Sequence, residues 1–136
     1  AAAMAKEAEA MGDKEVYLRM GYAYRASRVE NHAKKAFDAF KKAAKYKLPD
    51  ADAALGLCYE SGLGAEADIS KAVRYYKKAA EKGNAFAMAH YGCALANGEG
   101  VRKNEKSAME WLIKAAMKGD EGAILILKED YDYTLK

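Results

Sequence analysis

Apolar residues recur along most of the chain at intervals of three and four, which is the spacing of a helix that buries one face. One such stripe is Ala72, Tyr75, Tyr76, Ala79 and Ala80, and a second is Ala108, Trp111, Leu112, Ala115 and Ala116. The pattern predicts about eight helices, at residues 2–11, 13–26, 31–46, 50–61, 69–82, 85–97, 105–118 and 121–133. A single proline and abundant alanine and lysine also favour an all-α chain.

The helical pattern repeats itself after 36 residues, so that Gly56 aligns with Gly92 and Gly64 with Gly100. A period between about 20 and 50 residues is typical of stacked units that cannot bury their apolar faces alone. We therefore expect one domain over residues 1–136. Its predicted repeats are 12–46, 47–82 and 83–118, with partial or capping units at 1–11 and 119–136.

Most residues shared between the repeats are alanine or glycine. Closely packed helices need small residues where they cross, and loops need residues that tolerate a positive φ. Asp68 and Asn104 stand at equivalent places just before a predicted helix, where their side chains can cap it. The residues shared between the repeats therefore predict where helices pack and where they end. Their types do not indicate catalysis.

Residues 54–64 and 68–83 together resemble one Sel-one-like repeat (SLR), a family within the tetratricopeptide-like superfamily. The paired loop glycines and the Lys78-Ala79-Ala80 ending carry the resemblance, and most of these features return in the next copy. The resemblance implies a right-handed α-solenoid of antiparallel helix pairs that acts as a non-catalytic adaptor or scaffold. Two alternatives are an inhibitor or immunity-type protein that blocks a toxin or enzyme, and a structural segment of a larger solenoid.

In such folds the first helix of each pair lines the concave face. Counting from the helical glycine of each repeat selects the residues three before, one after and four after it. For the last repeat the count gives Ala89, Cys93 and Ala96, with Phe86 and Asn97 flanking them and Leu125 and Glu129 as the continuation on the next inner helix. The residues predicted to bind a protein or peptide partner are Leu18, Tyr22, Arg25, Ala53, Leu57, Glu60, Phe86, Ala89, Cys93 and Asn97. The alternative for Leu18, Leu57 and Phe86 is that they only pack against neighbouring helices.

Composition and charge exclude several other classes of protein. Hydrophobic residues make up 51% of the chain, yet no run of 18 apolar residues could span a membrane. The net charge is only +3, with 23 basic and 20 acidic residues, which does not indicate nucleic-acid binding. We expect a soluble monomer that is cytoplasmic, or exported with its signal removed, and the sequence does not decide the compartment.

Catalytic and metal-binding patterns are also missing from the sequence. The histidines are His32 and His90 and the cysteines are Cys58 and Cys93, which is too few for a closed zinc site. None of the serines has a lysine three residues later, as the Ser-x-x-Lys nucleophile would require. We therefore predict no enzyme activity, no metal and no cofactor.

The most basic stretch of the chain covers residues 34–47, in and directly after the predicted helix 31–46. Its lysines are Lys34, Lys35, Lys41, Lys42, Lys45 and Lys47, and they alternate with apolar residues at helical spacing. This arrangement predicts a solvated outer face. Such a face could attract an acidic partner, and the alternative is an ordinary soluble surface.

Overall fold

A computed structural model describes residues 15–26 and 31–133, and every regular element in these ranges is a helix. The helices are α1 (Val16–Ala26), α2 (His32–Ala44), α3 (Pro49–Ser61), α4 (Ile69–Glu81), α5 (Ala85–Asn97), α6 (Glu105–Met117) and α7 (Glu121–Asp130). The prediction of an all-α fold is confirmed, and the helix at 2–11 lies outside the described residues. The helix ends differ from the predicted ends by at most three residues.

The helices form a right-handed solenoid of antiparallel pairs. Helices α1 and α2, α3 and α4, and α5 and α6 pack closely as pairs, and each pair packs against the next, with α7 following on α6. We call α1, α3, α5 and α7 the inner helices, and α2, α4 and α6 the outer helices. The buried side chains form two clusters, and Tyr59 packs against both, so the core runs along the solenoid.

Within each pair, a glycine of the inner helix faces a large side chain of the outer helix. The contacts are Gly21 with Phe40, Gly56 with Tyr76, and Gly92 with Leu112. A Cβ atom on Gly56 would lie 2.6 Å from a ring carbon of Tyr76, which is closer than two such atoms can approach. The missing side chain therefore lets the two helices of a pair come close enough to bury the larger residue completely.

The loop between the two helices of a repeat contacts the preceding repeat. Gly64 adopts a φ of +75°, and a Cβ atom there would lie 2.6 Å from Cβ of Phe37 in α2. Gly100 adopts a φ of +70° and would place a Cβ atom 2.8 Å from the carbonyl oxygen of Ile69 in α4. Glycine is required at both places by the left-handed backbone and by the close approach of the neighbouring helix.

The predicted helix caps are present. The side chains of Asp68 and Asn104 accept hydrogen bonds from the backbone N–H three residues further on, at 3.1 and 3.0 Å. The inner helices α5 and α7 are capped in the same way by Asn84 and Asp120, which the sequence analysis did not single out. These caps define where each helix starts and therefore the angle at which the loop enters it.

Two positions of each repeat carry a different pair of residues from one repeat to the next. They are the fourth residue before the helical glycine and a residue just after the outer helix. The pairs are Tyr17 and Tyr46, then Asp52 and Lys82, then Met88 and Lys118. The two tyrosine rings stack with centroids 6.3 Å apart, whereas Lys82 Nζ lies 2.7 Å from Asp52 Oδ2. Because the Asp52 side chain is only 5% exposed, the lysine supplies the charge that its buried carboxylate needs.

The glycine contact predicts that Gly56→Ala destabilises the protein. The added methyl group would displace the Tyr76 ring, and overpacking of this kind costs about 1–3 kcal/mol. Urea unfolding followed by circular dichroism measures the loss.

The matched control is Gly122→Ala in the first turn of α7, where the only close neighbour is the Asp120 carboxylate at 3.3 Å. We expect this variant to lose less stability than Gly56→Ala, because a carboxylate at a helix end can move by a few tenths of an ångström more easily than the buried Tyr76 ring. Equal effects of the two substitutions would contradict the role given to the Gly56 contact.

Candidate functional site

Three of the predicted partner-binding residues lie in the core. Leu18, Ala53 and Ala89 are 8%, 5% and 6% exposed, so they offer little surface to a partner. Each lies three residues before the helical glycine of its repeat, and residues three apart share one face of a helix. Since the glycine faces the outer helix, the residue three before it faces the interior as well.

Tyr22 and Arg25 form the exposed part of α1. Tyr22 is 41% exposed, and its ring meets Phe40 edge to face with centroids 5.2 Å apart. The guanidinium carbon of Arg25 lies 5.8 Å from the centre of the Tyr22 ring. Partial burial and the Asp50 carboxylate raise the pKa of Tyr22, and Arg25 partly opposes this, so the phenol stays neutral and can donate a hydrogen bond.

Glu60 lies in the last turn of α3 and is exposed, while Leu57 is half-buried beside it. The Glu60 carboxylate accepts a hydrogen bond from the hydroxyl of Tyr76, whose ring is buried against Gly56. Burial first, then this hydrogen bond and the charges of Glu60 and Cys58, raise the pKa of Tyr76. This hydrogen bond holds the Glu60 carboxylate in one position.

Phe86 begins the exposed part of α5 and is 37% exposed. Its ring stacks on His90 with centroids 4.0 Å apart and an interplanar angle of 28°, and His90 in turn lies 5.0 Å from the Tyr76 ring. His90 Nδ1 donates to the carbonyl oxygen of Phe86 at 3.1 Å, which leaves Nε2 as the nitrogen that can meet a ligand. The three rings form one connected aromatic cluster.

Two small cavities open beside this cluster. The first, of about 80 Å³, is lined by Glu60, Tyr76, His90, Cys93 and Asn97 among others. The second, of about 320 Å³, lies between α5, α6 and α7 and is lined by Cys93, Asn97, Asp130 and Tyr131 among others. Cys93 and Asn97 therefore form a wall between the two cavities.

Acidic side chains dominate the surroundings of Cys93. Its half-buried thiol has a raised pKa, first because of burial and then because of Asp120, Asp130, Glu60 and Glu99. A thiol in such surroundings is protonated near neutral pH and is a poor nucleophile. The cavities beside it favour ligand groups that are neutral, positively charged or hydrogen-bond donors.

The structure thus brings together Glu60, Cys93 and Asn97 of the predicted set, with Phe86 joined to them through His90. Tyr22 and Arg25 do not line these cavities. The sequence analysis missed Tyr76 and His90 as members of the site. His90 could have been found from its place three residues before Cys93 on the same helix face.

Metal ligands and membrane-spanning helices are absent from the part of the chain that the structure describes. Residues 15–26 and 31–133 contain no group of three or more histidine, cysteine, aspartate or glutamate side chains placed to hold a metal ion. Over the same residues, no helix has both the length and the apolar character needed to cross a bilayer. The candidate site can offer a ligand hydrogen bonds, charged groups and aromatic rings.

Comparison with known proteins gave one family and several related structures. The Sel1 repeat model matches residues 49–84 and 85–120. A Sel1 repeat protein from Oxalobacter formigenes is 33% identical with a TM-score of 0.78 over 90% of this chain and 52% of its own. A protective antigen of uropathogenic Escherichia coli strains with an SLR fold is 30% identical with a TM-score of 0.83, over 93% of this chain and 27% of its own.

A third similar structure, cysteine rich protein B of Helicobacter pylori, is 29% identical with a TM-score of 0.72 and is matched over 90% of this chain and 93% of its own. The chain spans about half of the Oxalobacter protein and about a quarter of the Escherichia coli antigen. The comparison with curated proteins gave no match.

The Tyr76–Glu60 hydrogen bond predicts a pH-dependent effect of Tyr76→Phe. Above pH about 10 the unfolded chain releases the phenol proton while the folded chain keeps it, so Tyr76 makes the free energy of unfolding fall as pH rises. We expect Tyr76→Phe to cost about 1 kcal/mol at neutral pH, from the lost hydrogen bond, and to lose less stability on the alkaline side.

Urea unfolding at pH about 7 and about 10.5 measures both effects. Glu60→Gln is the companion variant, because it keeps a hydrogen-bond acceptor and removes the charge. Its loss of unfolding free energy on the alkaline side should lie between that of the original chain and that of Tyr76→Phe. Identical pH profiles for all three proteins would contradict the coupling of Tyr76 to Glu60.

Proposed function

Because the chain belongs to the Sel1 repeat family, we propose that it is a non-catalytic adaptor that binds a protein or peptide partner along its inner helices. Sel1 repeat proteins are helical scaffolds for protein interactions. The choice of the inner helices as the binding surface rests on the exposed residues of α1, α3 and α5. We further propose that the chain acts as a monomer.

The observation that carries this proposal is a pair of exposed aromatic side chains held rigidly from behind. Tyr22 is supported by Phe40 and Phe86 by His90, as the ring distances of 5.2 and 4.0 Å show. Rings whose rotamers are already fixed lose little conformational entropy when a partner covers them. Aromatic residues of this kind are the commonest strong contributors to protein–protein affinity.

Polar groups around the two rings suit the rim of a binding surface. Arg25, Glu60 and Asn97 are exposed at the carboxyl ends of α1, α3 and α5, and Leu57 adds half-buried apolar surface between the rings. Such groups contribute specificity and orientation, and the enclosed apolar centre contributes most of the affinity. The partner that fits is a segment with apolar side chains flanked by hydrogen-bond donors or positive charges.

The absence of catalysis is supported by the state of the two thiols. Burial raises the pKa of Cys58 to about 11, although the charge of Arg25 slightly opposes the shift. Cys93 is shifted in the same direction. A catalytic cysteine needs a lowered pKa and an adjacent base, and both shifts are opposite to that requirement.

The proposed surface predicts that Tyr22→Ala, Leu57→Ala and Phe86→Ala together weaken partner binding. A partner recovered with the intact chain and identified should bind the triple variant at least roughly tenfold more weakly, because interface residues of this type each contribute about 1 kcal/mol or more. Isothermal titration calorimetry on purified proteins measures the loss.

The matched control is Met117→Ala, which removes an apolar side chain on the outer helix α6 that is 73% exposed and lines neither cavity. This variant should bind like the original chain. Circular dichroism confirms that both variants remain folded. Equal affinity of the triple variant and the original chain would reject the inner-helix surface.

The raised thiol pKa values predict slow alkylation and disulfide exchange. At pH about 8, Cys93 should react with a thiol reagent more slowly than a free cysteine, and Cys58 should react only on unfolding. The single variants Cys58→Ala and Cys93→Ala show which thiol accounts for which part of the reaction with the reagent. A thiol that reacts faster than free cysteine near pH 7 would contradict the non-catalytic proposal.

A further inference from the structure

The outer side of the second repeat carries a cavity of about 400 Å³ that the inner-helix site does not use. We call it the basic groove, and its lining residues are Tyr59, Lys71, Arg74, Tyr75 and Lys78. Tyr59 comes from the end of α3, and the other four residues lie on α4 at the spacing of one helix face. That face is opposite to the buried stripe of α4.

Aromatic rings form the floor of the basic groove. Tyr59 and Tyr75 stack almost in parallel, with centroids 5.5 Å apart and an interplanar angle of 8°. Phe37 of α2 meets Tyr59 edge to face at 5.5 Å, which fixes the stack to the preceding repeat. Both tyrosines are half-buried, so the floor is rigid and still accessible.

Positive charges stand around this floor. The ammonium groups of Lys71 and Lys78 lie 5.5 Å from the centre of the Tyr59 ring and 5.3 Å from that of Tyr75. Within residues 15–26 and 31–133, no carboxylate forms an ion pair with Lys71, Arg74 or Lys78. The two lysines lie over the rings, and their charge and that of Arg74 stay available to an acidic ligand.

The outer helices differ in this row of cations, although a cavity of about 260 Å³ lined by Tyr17, Lys42, Lys45 and Tyr46 also combines stacked tyrosines with lysines. The positions equivalent to Lys71, Arg74 and Lys78 are Ser107, Glu110 and Lys114 in α6, and Lys35, Asp38 and Lys42 in α2. A carboxylate thus replaces the central arginine in both neighbours. Although α2 is richer in lysine, Asp38 interrupts its equivalent row, so three successive cations along one face, beside the tyrosine stack, favour a ligand at the second repeat.

We propose that the basic groove binds a short acidic segment of a protein partner, on the opposite side from the inner-helix site. The ends of the cation row, Lys71 and Lys78, are about 10 Å apart along α4, which matches the reach of two or three carboxylates. The planar guanidinium of Arg74 can bind one carboxylate with two parallel hydrogen bonds. The tyrosine rings cover the apolar part of the same segment.

A nucleic acid fits this surface less well than a short peptide does. A phosphodiester chain needs a continuous row of positive charge, and its affinity rises with each phosphate that is neutralised. On the α6 side of the groove, the position equivalent to Arg74 is Glu110 and the position equivalent to Lys71 is Ser107. This carboxylate would repel a longer polyanion that continues toward α6.

The test uses a dye-labelled eight-residue peptide with four glutamates and its counterpart with four glutamines, measured by fluorescence anisotropy against the whole chain. The acidic peptide should bind at least roughly tenfold more tightly than the neutral one, and added salt should weaken it. The variant Lys71→Gln, Arg74→Gln, Lys78→Gln should lose that preference.

The matched control is Lys106→Gln and Lys114→Gln on α6 with Lys118→Gln directly after its end, which removes the same charge and includes Lys114 over the Trp111 ring at 4.7 Å. It should change the affinity by less than about twofold. Equal weakening by both triple variants, or no preference for the acidic peptide, would overturn the proposal. Circular dichroism confirms that each variant is folded.

A single-stranded oligonucleotide of equal charge tests the competing ligand class. Tighter binding of the oligonucleotide than of the peptide, lost in the groove variant, would also overturn the assignment to a peptide. The variant Tyr22→Ala, Leu57→Ala, Phe86→Ala should bind the acidic peptide like the original chain. Weaker binding of the acidic peptide by this folded variant would overturn the claim that the two sites are independent.

Discussion

The close contact between a helical glycine and a large side chain of the paired helix is the constraint on which the rest of the structure depends. It occurs once in each repeat, with Phe40, Tyr76 or Leu112 as the larger partner. Because the glycine side of the inner helix is pressed against the outer helix, only the remaining faces of the inner helix can meet solvent. The exposed surface of each repeat is therefore determined by where its glycine lies.

Much of the fold could be predicted because its requirements are the same in every copy. Helix packing, helix caps and loop geometry each demand a particular residue type at a particular place, so aligning the chain with itself reveals them. Asp68 and Asn104 are such residues, and so are the loop glycines. The helix ends were harder to predict, since the last turn of a helix frays and differs little in composition from the loop that follows.

The candidate sites were harder to predict because they depend on positions where the copies differ and on neighbours distant in sequence. The burial of Leu18, Ala53 and Ala89 follows from the side of the helix on which the glycine lies, which spacing alone did not reveal. The stack of Tyr59 on Tyr75 joins residues of two helices, and neither residue type is unusual. Only the folded chain shows that these rings and the nearby cations form one surface.

The loop glycines have a consequence for how proteins of this kind change in length. Gly64 contacts α2 and Gly100 contacts α4 through the same geometry, so each junction between repeats is a copy of the one before it. Duplication or deletion of a whole 36-residue unit would therefore recreate a compatible junction, whereas loss of part of a unit would not. Evolution can in this way lengthen or shorten the solenoid without redesigning its interior, while the surface of each new copy remains free to diverge.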